Sequence, residues 1–415
     1  MQNFEVRAEI VNKNGAKGAL TLISDDGDQR TSDFFYTVVA PRYSAFKLTV
    51  AMPTGKIASL VKTEDGKAWK KDENGKYVLT VKENAYESAI EGSVFRDPLS
   101  HPTTIDFWKQ ILSHGSIELA SHSHTHAAWG LTDEQNGDYP AGNVIKELHA
   151  SAQILRELLG QDTPFILRPG GHSDLTSEYF YSLVERDDTY VGMRSSSGPA
   201  PLLGAPSPKL NTPSKFMEPI GRLKIATILP RSYEAAFNND GSGFATTSES
   251  SIEDRLNAGV GAWTNYVDLA IKHGGWASIG FHGVGADTEN ATGYKVFDSQ
   301  VLKLMDHVQP LVDSGDLWLG SFKELAKYYF EWSSAKLSAE LTDGKIELRL
   351  TDGEVDPRFD EPLTVKLTVP PSWQSAILKT EGQESLLEVR ENADGTRFVY
   401  ASILPSDAVS TVYPL

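Results

Sequence analysis

The sequence contains no cysteine among its 415 residues. Disulfide bonds, thiolate metal ligands and a cysteine nucleophile are therefore excluded. A metal site in this chain would have to use histidine and carboxylate side chains. The sequence also lacks a run of about 18 consecutive apolar residues, so we expect no helix that spans a membrane.

Positive charge is scarce in this chain. Lysine and arginine number 39 against 56 aspartate and glutamate residues, which gives a formal net charge of −17. Nucleic acids and anionic membrane surfaces are bound through basic patches, so neither is an expected partner. Hydrophobic residues make up 40% and charged residues 23% of the chain, as in an ordinary globular protein. The length allows two to three domains.

A histidine cluster is the most distinctive feature of the sequence. His122, His124 and His126 follow a short apolar run that includes Ile117 and Leu119. His122 and His126 have the spacing that places two imidazoles on one side of a helical or tight turn. Such a pair suits zinc and similar metals, with a third ligand from elsewhere. Taken alone, the cluster also fits a solvated loop.

A pair of carboxylates follows an apolar run nearer the N-terminus. Residues 18–23 are predicted to form a buried strand that delivers Asp25 and Asp26, followed by Gly27. An Asp-Asp-Gly sequence is also common in ordinary turns at strand ends. Because the two polar clusters both follow apolar strands, we interpret them together as a metal site.

Strand and helix patterns alternate along most of the chain. This alternation predicts an α/β fold with parallel strands, interrupted at residues 55–100 by a polar segment that we interpret as an insertion at the rim. Arg168 and His282 each follow a further apolar strand. In an α/β barrel the carboxyl ends of the strands converge on one mouth, so all four polar clusters are expected to meet there.

The pattern changes near residue 333. From there to the C-terminus, short β-rich runs alternate with turns and no helical pattern is present, which predicts a small, Ig-like β-sandwich. The predicted domains are therefore a (β/α) barrel at 1–332 and a β-sandwich at 333–415.

The order of these motifs resembles a known family. It runs Asp-Asp-Gly at 25–27, His-Ser-x-x-His at 122–126, Arg-Pro-x-Gly at 168–171 and a strand that ends in His282. This order resembles the polysaccharide deacetylases with a NodB-homology domain, carbohydrate esterase family 4, over about residues 18–330. Three features depart from the family: Ile23-Ser24 replaces the usual Thr-Phe, the arginine motif reads Arg-Pro-Gly-Gly-His at 168–172, and the Asp-rich fourth motif has no clear equivalent. Its candidates are Asp254, Asp268 and Asp287.

The resemblance implies a distorted (β/α) barrel that uses a divalent metal to remove acetyl groups from a carbohydrate. Zinc is the expected metal, with cobalt, nickel and manganese as alternatives, and no organic cofactor is expected. By position, the implied metal ligands are Asp26, His122 and His126. Asp25 is the implied general base acting on metal-bound water, Arg168 its orienting partner and His282 the general acid.

Further residues are candidates for substrate contact. They are His172, Trp129 and Ser123, the last of which is also implied to stabilise the turn of the histidine motif. The expected partner is an N- or O-acetylated oligosaccharide or polysaccharide. A polymeric substrate implies a periplasmic or extracellular location, although residues 1–7 do not show the pattern of a signal peptide and a cytoplasmic location stays open. The sequence does not indicate an oligomeric state.

Two other functions stay open. One is an amidohydrolase of the same fold that opens a small cyclic ureide such as allantoin; the predicted sandwich argues against it because that branch carries none. The other is a non-catalytic carbohydrate-binding protein on the same scaffold. The presence of the aspartates, the histidine pair, Arg168 and His282 argues against it.

Overall fold

The computed structural model describes part of the chain. The described residues are 4–27, 29–54, 57, 70–71, 77–78, 105–124, 141–162, 165–167, 184, 189–194, 217–220, 223–226, 252–285, 295–353 and 356–415. Most of the predicted rim insertion at 55–100 lies outside them, apart from Ile57 and an antiparallel pair of two-residue strands. None of the helices in the described residues is both long and apolar enough to cross a membrane.

The strands and helices of the described residues have the following bounds. The strands are β1 (Ala8–Val11), β2 (Gly18–Ser24), β3 (Leu48–Met52), β4 (Lys70–Lys71), β5 (Tyr77–Val78), β6 (Ile117–Ser121), β7 (Phe165–Leu167), β8 (Gly192–Arg194), β9 (Met217–Ile220), β10 (Leu223–Ala226), β11 (Trp276–Phe281), β12 (Gly283–Gly285), β13 (Lys295–Phe297), β14 (Leu317–Leu319), β15 (Lys336–Thr342), β16 (Lys345–Thr351), β17 (Leu363–Thr368), β18 (Ser375–Thr380), β19 (Gln383–Glu388), β20 (Arg390–Glu391), β21 (Arg397–Ile403) and β22 (Val409–Pro414). The α-helices are α1 (Gln29–Phe34), α2 (Ala40–Arg42), α3 (Ile105–Ser113), α4 (Ala141–Leu159), α5 (Ile252–His273), α6 (Asp298–Asp313) and α7 (Phe322–Ser334), with a π-helical turn at Phe35–Val39 between α1 and α2.

A mainly parallel sheet forms the centre of the larger unit. Its described strands follow the order β11-β2-β3-β6-β7-β8-β10-β9, and β14 also pairs with β2. All of these pairings are parallel except that of β9 with β10. The predicted α/β fold with parallel strands is therefore confirmed, whereas its description as a distorted barrel stays a prediction.

Both faces of this sheet are covered, which explains why β2 is apolar along its whole length. All seven residues of β2 are buried. Leu20 and Leu22 pack with apolar side chains of α5 and α6, whereas Ala19 and Ile23 on the opposite face pack with those of α7. Alternate residues of a strand point to opposite faces, so β2 contributes to two hydrophobic cores.

The C-terminal part of the chain forms two antiparallel sheets that fit a sandwich. Their strand orders are β1-β17-β21-β20 and β15-β16-β22-β18-β19. Alternate residues of β16 are buried, as expected for strands with one solvated face. β1 belongs to the first of these sheets and pairs antiparallel with β17. The sandwich therefore contains residues from both ends of the chain, and its Ig-like character and the boundary at 333 stay predictions.

The turn after β1 joins the N-terminal segment to both units. Asn12 accepts a hydrogen bond from Tyr329 Oη of α7 at 2.6 Å, and the Asn14 amide donates to Thr364 Oγ1 of β17 at 3.0 Å. Gly15 has a φ of +81°, and a Cβ at this position would lie 2.1 Å from the ring of Tyr400. The glycine thus provides both a left-handed backbone conformation and space for the tyrosine.

We predict that Gly15→Ala destabilises the protein by about 2–4 kcal/mol, because it adds a steric clash to the cost of a left-handed alanine. Gly344→Ala is the matched control: this residue has a φ of +77°, and a Cβ added to it would have no other atom within 4 Å. The control should cost about 1 kcal/mol. Urea unfolding measures both values, and equal losses would contradict the packing of Tyr400 against the turn.

Candidate active site

Polar side chains from four strands meet at the carboxyl edge of the parallel sheet. Asp25 and Asp26 follow β2, His122 follows β6, Arg194 ends β8 and His282 follows β11. The β2–β11 pairing aligns Ser24 with Phe281, and the Asp25 amide donates to the Phe281 carbonyl at 2.8 Å. The register therefore brings the aspartates beside His282, as the predicted convergence at one mouth requires.

Asp25 forms a buried ion pair with Arg194. Arg194 Nη1 lies 2.5 Å from Asp25 Oδ1, and the two side chains are 1% and 13% exposed, respectively. Burial raises the pKa of the Asp25 carboxyl, but the guanidinium of Arg194 and, in their protonated forms, the nearby imidazoles of His122 and His282 oppose it and leave the pKa below its usual value. Asp25 is therefore an anion at neutral pH.

Asp26 lies between two imidazoles. Its Oδ1 is 3.5 Å from His122 Nε2, and its Oδ2 is 3.9 Å from His282 Nε2. The backbone at Asp26 has a φ of +70°, a left-handed conformation that aspartate tolerates better than most residues do. This turn directs the two consecutive aspartates to different partners.

The ring of His122 has a defined orientation. Its Nδ1 donates to the Leu167 carbonyl at 2.5 Å, and its side chain is 1% exposed. A carbonyl oxygen only accepts, so the proton of the neutral ring resides on Nδ1 and the lone pair of Nε2 faces Asp26. Metal-binding histidines are commonly oriented in the same way, by a hydrogen bond from the other ring nitrogen to a backbone carbonyl.

His124 and Ser123 stabilise the turn of the histidine motif, directly after β6. His124 Nδ1 is 2.8 Å from Thr54 Oγ1, and the Thr54 amide donates to the Ser123 carbonyl at 3.1 Å. Burial lowers the pKa of His124 to about 3, so this ring is neutral. Ser123 is fully buried with a φ of +67°. These contacts join the end of β6 to the segment that follows β3.

Several predicted site residues lie outside the part of the chain that the structure describes. These are His126, Trp129, Arg168, His172 and Asp287. Their roles stay predictions. Asp268, a candidate for the partner of the catalytic histidine, is instead 2.9 Å from Nε2 of the part-exposed His307.

Arg194 is a site residue that sequence reasoning did not single out. It ends an apolar strand, and its side chain is almost completely buried. An arginine directly after a buried apolar run is informative, because a buried guanidinium requires a charged or hydrogen-bonding partner. That signal was present in the sequence at residues 190–194, although it does not identify Asp25 as the partner.

The donors present here are compatible with a zinc-like cation. A carboxylate and an imidazole with its Nε2 lone pair directed at that carboxylate are a suitable pair of ligands. In the part of the chain that the structure describes, no group of three or more ligating side chains is arranged to hold a metal ion. A third ligand must therefore come from outside these residues or from a rearrangement, and His126 is the predicted candidate.

Comparisons with known proteins give similarity of structure only. No family model and no curated sequence matches the chain. A proposed polysaccharide deacetylase from Mycobacterium smegmatis is 11% identical, with 78% of this chain and 94% of that chain covered and a TM-score of 0.39. A family 4 carbohydrate esterase from Streptomyces lividans, solved with acetate, is 10% identical, with coverages of 74% and 93% and a TM-score of 0.34.

An enzyme of another kind is about as similar. The α-amylase AmyC from Thermotoga maritima is 11% identical, with 74% of each chain covered and a TM-score of 0.40. The resemblance to polysaccharide deacetylases is thus found again among solved structures. At these identities and TM-scores, however, the similarity supports no conclusion about what this chain does.

We predict that Arg194→Met destabilises the protein by about 3–5 kcal/mol, because it leaves the Asp25 carboxylate buried without its cation. Arg156→Met is the control, since Arg156 pairs with Asp162 at 3.4 Å on the surface, where the side chains are 61% and 76% exposed. The control should cost less than about 1 kcal/mol. Urea unfolding of both variants tests the difference, and a loss at Arg194 no larger than that of the control would exclude a tight buried pair.

Proposed function

We propose that this chain is a metal-dependent hydrolase that removes acetyl groups from a carbohydrate. The observation that carries the proposal is the convergence of Asp25, Asp26, His122 and His282 at one edge of the parallel sheet, with the His122 ring oriented by the Leu167 carbonyl. These residues belong to three of the four motifs on which the family resemblance rests. Motif order and spatial convergence support the same chemistry independently.

In the proposed site, Asp26 and His122 are metal ligands, and His126 is the expected third. A bound divalent cation would supply Lewis-acid chemistry, polarising the acetyl carbonyl and acidifying water. His122 suits this role because a backbone carbonyl holds its proton on Nδ1, and Nε2 lies 3.5 Å from Asp26 Oδ1, the other proposed ligand.

Asp25 is the proposed general base. It is ionised, and the bond from Arg194 to Oδ1 leaves the second carboxylate oxygen, Oδ2, to accept a proton. Arg194 is proposed to position Asp25, and the similar role that the motif resemblance implied for Arg168 stays a prediction. Arg194 holds the carboxylate through a planar guanidinium that is itself buried.

His282 is the proposed general acid. Its side chain is 18% exposed, so a leaving group can reach it, and its carbonyl accepts a bond from Ser24 Oγ at 3.3 Å. In the reaction, Asp25 removes a proton from water, the oxygen attacks the acetyl carbon, and the tetrahedral species expels an amine or alcohol. That group takes the proton from His282, and acetate is released.

Acetate release from a panel of acetylated glycans tests the activity, with zinc added in one arm and a chelator in the other. The panel spans chitin and peptidoglycan fragments, acetylated xylan and oligosaccharides that contain acetylgalactosamine. Chelation should abolish release from at least one class. No release from any glycan with one metal bound per chain would favour the cyclic-ureide reaction, and no release without bound metal would favour a binding protein.

Catalytic variants test the assigned roles. We predict that Asp25→Asn and His282→Ala each lower kcat at least about 100-fold, because each removes a proton-transfer group. Asp268→Asn and His307→Ala are the matched controls, since these two residues pair with each other at a part-exposed position. They should keep full activity. If Asp25→Asn retains normal turnover, Asp25 is not the base.

Metal binding is tested separately from turnover. We predict that zinc raises the melting temperature of the wild-type protein and of Asp25→Asn, but not that of His122→Ala, because His122 supplies a ligand. His114→Ala is the control, because His114 is not a proposed ligand and its Nδ1 instead lies 2.9 Å from Ser116 Oγ. An equal zinc-induced shift in His122→Ala would remove His122 from the ligand set.

A further inference from the structure

Helix α7 carries a glutamate in an unfavourable environment. Glu331 is 1% exposed, and neither of its carboxylate oxygens has a hydrogen-bond partner among the described residues. It lies in the last turn of α7, where the helix dipole disfavours negative charge. A buried carboxylate without hydrogen bonds is much more stable in its neutral form than as an anion.

The last turn of α7 packs closely against the sandwich. A Cβ added to Gly353 would lie 2.6 Å from the Ser334 carbonyl, so the two backbones are in direct contact. The ring centroids of Phe330 and Phe359 are 5.4 Å apart. Glu331 is therefore enclosed at the junction between α7 and a junction segment whose described residues are 351–353 and 356–360.

The charges around Glu331 add to the effect of burial. Asp352 and Asp360, from the two ends of this junction segment, face it with negative charge, and Lys327, one turn earlier on α7, faces it with positive charge. The remaining charged residues described in this segment, Asp356 and Arg358, pair with each other at 2.6 Å. Burial and the two aspartates outweigh the lysine and raise the pKa of Glu331 to about 7.

We propose that Glu331 is a proton-dependent latch at this junction: the neutral carboxyl permits the close packing of α7 against residues 351–353 and 356–360, and ionisation loosens it. The latch is independent of the proposed deacetylation, because it involves residues at the sandwich side of α7. It makes the cohesion of the two units sensitive to pH near neutrality.

The direction of the pH effect follows from linkage. The pKa of Glu331 is about 7 in the folded protein, against an ordinary value of 4.5. The folded state therefore holds the proton more tightly, so stability is greatest below the ordinary value and falls as the pH rises through about 7. Between pH 4.5 and about 7, Glu331 holds its proton in the folded state but not in the unfolded state. In this range the folding equilibrium constant therefore falls by about tenfold per pH unit.

Urea unfolding from about pH 5 to pH 8.5 tests the latch. The stability of Glu331→Gln should not fall with pH in the way that the wild-type stability does. This variant should therefore be more stable than wild type at pH 8, because the glutamine side chain is neutral and has nearly the same shape as glutamate. Glu340→Gln, at an exposed position on β15, is the control and should keep the wild-type dependence. If Glu331→Gln keeps the wild-type dependence, the proposal is wrong.

Two further measurements distinguish the junction from a local effect. In a double variant with Asp352→Asn and Asp360→Asn, the pKa of Glu331 should be lower, because its two negative neighbours are removed. The pH above which stability stops falling should therefore be lower than in wild type. Amide hydrogen exchange at 331–353, corrected for intrinsic rates, should accelerate between pH 6 and 8 in wild type but not in Glu331→Gln. An unchanged transition or unchanged exchange in wild type would overturn the latch.

Discussion

The parallel pairing of β2 with β11 is the interaction on which the candidate site depends. Six consecutive residue pairs join the strands, from Trp276 with Ala19 to Phe281 with Ser24. The next hydrogen bond belongs to Asp25, whose amide donates to Phe281. Because β2 is buried on both faces, a slip in this register would place apolar side chains against the wrong core. The position of the aspartates beside His282 therefore follows from hydrophobic burial.

Charges are tolerated at this edge because neighbouring strands supply their partners. β8 provides the guanidinium of Arg194 for Asp25, and β7 provides the Leu167 carbonyl for His122. At the opposite end of the sheet, Glu118 and Thr49 bond the first amides of α7 at 2.9 and 2.7 Å. Helix α7 is thus fixed to the sheet at its beginning and packs against the sandwich at its end.

The sequence predicted those features that local patterns determine. The apolar run before Asp25, the strand before His122 and the strand before His282 are each present, since strand burial and polar strand ends are visible over a few residues. The pairing of β1 with β17 was not predicted, because it joins Ala8 to Leu367 and local sequence carries no information on such distant partners. Arg194 was missed for the same reason: its partner lies 169 residues away. The environment of Glu331 likewise depends on residues from the sandwich.

Anomalous diffraction from crystals soaked in zinc tests the central claim most directly. The account predicts a zinc peak about 2.0–2.2 Å from an Asp26 carboxylate oxygen and from His122 Nε2, with Asp25 beside it and still paired with Arg194. A zinc peak elsewhere, with His122 Nε2 free of metal at a saturating zinc concentration, would contradict a metal-dependent site at this edge of the sheet.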